Sequence, residues 1–161
     1  QIDLEFSNGE RRTHERLHGS GRGAVIVVPL PDANTVLLIR EYAAGLHCYE
    51  LGLPKGRLEH GEDVLAGADR ELKEEIGHGS HRLRLVGKLS LAPTYMSHQM
   101  HVVLAQDLYP ERLPGDEPEE LEVVPWQLDD LARLVQRSDV TEGRSIAALF
   151  LVRELLRAGA L

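Results

Sequence analysis

Apolar residues run almost unbroken through "AVIVVPL" (24–30) and again through "TVLLIREY" (35–42), with Pro-Asp-Ala-Asn between them. Runs this short, rich in β-branched side chains and bounded by turn residues, predict buried strands. Further strands are predicted at 49–53 ("YELGL"), at about 82–91 and at 100–107. The first residues, "IDLEFSNGERRTHERLH", read as two strands joined through Asn8-Gly9, a hairpin signal. "GSGRG" (19–23) then predicts a flexible connector, and "PKGRLEHG" (54–61) a glycine-punctuated loop. The period changes between 63 and 76. Wound at 100° per residue, Val64, Leu65, Ala68, Leu72 and Ile76 gather in an arc of about 120°, the buried stripe of a helix. Glu62 and Asp63 suit its positive N-terminal end and Gly77 its C-terminal cap. "LPGDEPEE" (113–120) is too rich in Pro, Gly and charge to be an element interior, and two helices near 128–136 and 142–157 close the chain. Strands and helices interleave with hairpins, so the predicted class is α/β, a mixed sheet covered by helices.

The polar face of the 63–76 helix is unusual. Glu71, Glu74 and Glu75 fill the arc beside the apolar stripe, while Lys73 points away from them. Like charges at this spacing repel, and two of them about 4 Å apart at an effective dielectric near 20 do so by about 4 kcal/mol. A solvated acidic face is one reading of the pattern. The other is a divalent cation, for which magnesium is the natural choice: a hard ion that takes carboxylate and carbonyl oxygens and bridges phosphates. Manganese is its substitute. Gly56, just before the helix, leaves room for the backbone carbonyl of Lys55 to join such a shell.

Composition narrows the function. The 161 residues suit a single core, and a net charge of −8 excludes a general binder of nucleic-acid backbones, though not a phosphate substrate approached through a metal. Cys48 is the only cysteine, which excludes a disulfide framework and a thiolate zinc site. With no apolar run of membrane-spanning length and no signal-peptide pattern at the first residues, a cytoplasmic protein without membrane association is expected. The chain begins with Gln1, so a preceding piece is conceivable. The eight histidines show no metal-protease spacing, and no serine-hydrolase elbow accompanies them.

Gly56, five residues, Glu62, seven residues and then "RELKEEIG" (70–77) together resemble the Nudix box, the signature of hydrolases of nucleoside diphosphates linked to another moiety. His78 departs from the pattern, which usually has an apolar residue there. The resemblance implies an α/β/α sandwich over 21–161, preceded by an N-terminal hairpin (1–20) whose strands exchange between the subunits of a homodimer; a hairpin folding back on its own subunit is the plain alternative. It implies that Glu71 and Glu75 ligate metal with Glu74 assisting, that Arg70 holds the acidic side chains, and that Glu62 binds metal or supports the loop. Pro93, sixteen residues after Gly77, resembles the ADP-ribose pyrophosphatase branch, while "LPKG" with Tyr95 looks more like enzymes of dinucleoside polyphosphates. "DLEFSNG", "LIREYA", "YELG", "AQDLYPE" and "GDEPE" resemble bacterial hydrolases of ADP compounds along almost the whole chain.

That resemblance implies hydrolysis of the pyrophosphate bond of ADP-ribose, NADH and diadenosine polyphosphates. Arg40, Tyr42, Glu50, Pro93 and Tyr95 are then expected at the substrate. In "GDEPEE" it makes Glu117 the candidate base and Glu119 a further metal ligand, against the plain reading of a solvated turn. Ala43 stands where many ADP-ribose pyrophosphatases carry arginine, which leaves the preference among ADP compounds open. A non-catalytic sensor of ADP-ribose and a housekeeping pyrophosphatase of nucleoside triphosphates are the alternatives.

Overall fold

The computed structural model describes residues 1–19 and 21–161. Ser20, in the expected connector and at the expected domain boundary, lies outside the described residues. Strands β1 (Ile2–Glu5) and β2 (Arg11–His14) form the expected hairpin, in register Glu5↔Arg11. Its turn is a three-residue loop. Phe6 N–H donates to the Glu10 carbonyl, Gly9 N–H to the Phe6 carbonyl, and Gly9 takes the left-handed φ of +82°.

Two sheets form the body. In the first, β3 (Ala24–Leu30) pairs parallel with β8 (Gln99–Pro110), while β6 (Lys55–Arg57) and β7 (His78–Ser90) flank them antiparallel, in the order β6-β3-β8-β7. In the second, β4 (Thr35–Ala43) lies between β5 (Cys48–Gly52) and β9 (Glu122–Gln127), all antiparallel. Helix α1 (Val64–Glu75) covers one side and α3 (Gly143–Arg157) the other, with the short α2 (Leu131–Leu134) beside it. Strand β3 serves both cores. Ile26, Val28 and Leu30 pack with Leu149 and Val152 of α3, and Val25 and Val27 with Ala68, Leu72 and Ile76 of the α1 side. Coverage on both faces is why its sequence is continuously apolar and not alternating.

The α/β/α sandwich is as expected, but its strands divide into a mixed sheet and a separate antiparallel one, not a single mixed sheet. Two strands escape the sequence reading. β6 lies inside the expected loop, and β9 contains Pro125, which an edge strand tolerates and a central one does not. β7 begins at His78, directly after the Gly77 cap, so His78 opens a strand where an apolar neighbour is not required. The helix expected at 128–136 is instead a 3₁₀ turn (Leu128–Asp130) followed by α2; buried leucines at 128, 131 and 134 keep the three-residue period that a 3₁₀ turn stacks.

Candidate active site on the acidic helix

Helix α1 is fixed in rotation before its carboxylates are considered. The Asp63 side chain accepts from the N–H groups of Leu65 and Ala66, and Ala68, Leu72 and Ile76 are buried against β3 and β8. That rotation brings Glu71 and Glu75 to the open edge of β6, where each is only 7% exposed, with Glu74 half-buried beside them. Lys73 points away as expected and pairs with Asp69 and Glu111, each at 2.8 Å.

Arg70 occupies the centre of the cluster. Its Nε and Nη2 donate to the two oxygens of Glu62 at 2.9 and 3.0 Å; Nη1 donates to Glu71 and Glu74, both at 2.8 Å; Nη2 also reaches the Arg57 carbonyl at 3.1 Å. All five guanidinium donors are engaged, which a lysine could not reproduce. The ion pair with Arg70 holds the Glu62 carboxyl below its ordinary range, whereas burial raises that of Glu71. Burial, with Glu71 and Glu41 nearby, pushes Glu75 up to about 8.

The backbone supplies the rest. Val27 N–H donates to the Pro54 carbonyl and Leu58 N–H to that of Gly23, so between them Gly56 is the residue bonded to Val25. Lys55, one position away, therefore turns its N–H and carbonyl outward from β3. Its N–H donates to Glu75 Oε2 at 3.0 Å, and its ammonium pairs with Glu41 at 2.7 Å. Gly56 lies directly under Glu71; a Cβ there would overlap the carboxylate. Glycine at 56 is thus a seat for Glu71. Two buried carboxylates, a third at their side and an outward carbonyl make a set of hard oxygen donors that suits a divalent ion such as magnesium. Among the described residues no three acidic, histidine or cysteine side chains are already drawn into a cage. Arg70 supplies the cation between Glu71 and Glu74 instead.

Above the helix runs the segment 111–121. Pro114, Gly115, Asp116 and Glu117 wall two adjoining cavities, of about 440 and 550 Å³, that share Glu71, Glu74 and Glu75. Burial and the charges of Glu41 and Asp116 raise the Glu117 carboxyl. Glu119 lines the first of these cavities, but its carboxylate accepts a hydrogen bond from the Tyr49 hydroxyl at 2.8 Å.

The expected substrate residues are not all gathered here. Arg40 is committed to Glu122 at 2.8 Å and Asp139 at 2.7 Å, tying β4 to β9 and to the turn before α3. Tyr42, half-exposed, meets Tyr49 edge-on with ring centroids 5.3 Å apart. Glu50 is buried and accepts from both the N–H and the hydroxyl of Thr141 at 2.9 Å; with Glu41, Lys55 and Arg144 it lines a third cavity of about 470 Å³ that also contains Ala43. Pro93 and Tyr95, in the β7–β8 connection, line none of these cavities, and the Tyr95 carbonyl accepts from Leu17 N–H at 2.7 Å. Glu41 and Tyr49 were missed by the sequence reading. Glu41 had a signal, because it stands directly opposite Glu50 in the ladder, where like charges call for a cation such as Lys55.

Comparison with known proteins bears on the family and the fold. The profile of the NUDIX domain matches residues 21–149. The ADP compounds hydrolase NudE of Escherichia coli (strain K12) is 52% identical over 156 residues, covering 97% of this chain and 83% of that protein. An ADP-ribose pyrophosphatase of Bacillus subtilis (strain 168) is 29% identical over 149 residues, covering 91% of this chain and 80% of that one. A crystal structure of an ADP compounds hydrolase superposes with a TM-score of 0.88 at 52% identity, covering 98% of this chain and 84% of that chain.

Proposed function

This chain belongs to the NUDIX domain family, and from that premise we propose that it hydrolyses the pyrophosphate bond of ADP-linked compounds, ADP-ribose, NADH and diadenosine polyphosphates among them, and releases AMP from ADP-ribose. The observation that carries the reading is the acidic cluster itself: Glu71 seated on Gly56, Glu75 on the Lys55 N–H, and Glu71, Glu74 and Glu62 held together by Arg70, all under the segment bearing Glu117. Relatives named for ADP compounds and ADP-ribose support the substrate class.

Glu71, Glu75 and the Lys55 carbonyl would hold magnesium, or manganese in its place, with Glu74 assisting. Such an ion, when bound, neutralises pyrophosphate oxygens and polarises phosphorus toward attack. The chain's own residues do the remainder. Arg70 keeps Glu71 and Glu74 in place, as a positioning residue. Glu117 accepts the proton of the attacking water. Its carboxyl, raised by desolvation and by Glu41 and Asp116, makes it a better base than a free glutamate in water.

A product assay tests the reading. With magnesium, the protein should release AMP from ADP-ribose and cleave NADH and diadenosine triphosphate faster than a nucleoside triphosphate, and excess chelator should stop all of it. Binding of ADP-ribose without turnover would make the protein a sensor, and turnover of the triphosphate alone a housekeeping pyrophosphatase; either result overturns the proposal.

The hairpin supports a homodimer. Ile2, Leu4 and Phe6 alternate onto one face; Leu4 is 37% and Phe6 47% exposed, an apolar stripe that a second copy would cover. Deleting residues 1–18 should convert a dimer into monomers or insoluble protein in light scattering, and a soluble active dimer after deletion would rule strand exchange out. Among the described residues no helix is long and apolar enough to cross a membrane. The lone Cys48, an exposed free thiol, suits a reducing cytoplasm.

A further inference from the structure

Resting on that reading, we propose that Tyr49 is a positioning residue: through Glu119 it fixes the segment that carries Glu117 over the acidic helix. The segment is tied down at its first end, where Glu111 N–H donates to the Gly77 carbonyl, Leu113 N–H to the Lys73 carbonyl, and Glu111 pairs with Lys73. It is tied again at its last end, where Leu121 is buried with Ile39 and Leu72 and Glu122 enters β9. Between these anchors, from Pro114 to Glu120, the one hydrogen bond that leaves the segment among the described residues is that of the Tyr49 hydroxyl to Glu119 Oε1, at 2.8 Å.

The donor is well placed to act as a fixed post. Tyr49 belongs to β5, is paired with Tyr42 of β4, and meets that ring edge-on at 5.3 Å. Its phenol is exposed enough to let go of Glu119 without unpacking the core, since the residue is 46% exposed. On the other side of the bond, Pro118 lies between Glu119 and Glu117 and fixes one backbone angle of the link. Holding Glu119 therefore restricts where Glu117 stands above Glu71, Glu74 and Glu75. The consequence is an entropic one: Glu117 is brought to the reacting centre already ordered.

Tyr49→Phe keeps the ring, its edge-on contact and the strand, and removes only the hydroxyl. A hydrogen bond to a charged group is of a size to make about a tenfold change. The variant should show kcat for ADP-ribose lowered about tenfold with KM within a factor of two, an unchanged melting temperature, and lower backbone amide order parameters in NMR relaxation at Gly115, Asp116, Glu117 and Glu119. Glu119→Ala, which leaves the Tyr49 hydroxyl without its acceptor, should do the same, and the double variant should be no worse than either single one. Wild-type kcat and order parameters in Tyr49→Phe, or effects of the two substitutions that multiply, would overturn the inference. The order parameters are read without substrate, so an inactive wild-type protein would count against the pyrophosphatase reading while they still decide the role of Tyr49.

Discussion

Replacement of Glu75 by glutamine should lower turnover of ADP-ribose by orders of magnitude and weaken magnesium binding, while leaving the apo fold as stable as before or more so. The amide oxygen can still accept the Lys55 N–H that now reaches Glu75 at 3.0 Å, so the seat persists and only the charge is lost. The same carboxyl makes stability depend on pH. Its folded value is about 8 against 4.5 for the ordinary group, so the folded state binds that proton more tightly than the unfolded state does. Stability is then fully present below about pH 4.5 and falls as pH rises through 8, a loss on the order of a few kcal/mol. Melting curves of the metal-free protein between pH 5 and 9 should decline more steeply for wild type than for Glu75→Gln. Saturating magnesium should restore the wild type at the alkaline end by favouring the ionised carboxyl, and leave the variant behind. Turnover of the variant within twofold of wild type would return the acidic face to a purely structural role.

The second large effect belongs to the segment between β8 and β9. General-base catalysis contributes about 10²–10⁴-fold, and Glu117→Gln should cost that much in kcat. Its magnesium dependence should stay that of the wild type, because Glu71 and Glu75 are untouched. The acid limb of the pH–rate profile should lose the group that burial, Glu41 and Asp116 hold above the usual carboxylate range. Parental turnover would assign water activation elsewhere, to a helix glutamate or to the ion's own water.

The helix and its cluster of carboxylates were legible because they are local. Apolar spacing gives the rotation of α1, and Gly56, Glu62 and "RELKEEIG" are close enough along the chain for one strand, one loop and one helix to assemble them. Strands β3, β4 and β5 were legible for the same reason. What escaped depends on partners far along the sequence. Nothing near 122–127 shows that Glu122 will pair with Arg40, or that Pro125 will lie on an edge. Arg40 was expected at the substrate, yet Asp139, 99 residues away, takes its guanidinium. Tyr49 and Glu119 are separated by 70 residues, and no local pattern marks either as the other's partner. Pro93 and Tyr95 keep a family spacing in sequence, but within one chain the β7–β8 connection carries them to Leu17 and away from the acidic cavities.

Arg70 has a bearing on how the molecule is made. A chain that needed an external ion to quench its acidic helix would be unable to finish folding until the ion arrived, as small zinc modules are. Here the quenching charge is one position before Glu71 in the same helix and is delivered with it by the ribosome. On the proposed reading, assembly of the protein should not wait on mineral supply. A pool of finished, ion-free molecules should accumulate, and the active fraction should then follow the free concentration of the ion from moment to moment rather than its level at the time of synthesis.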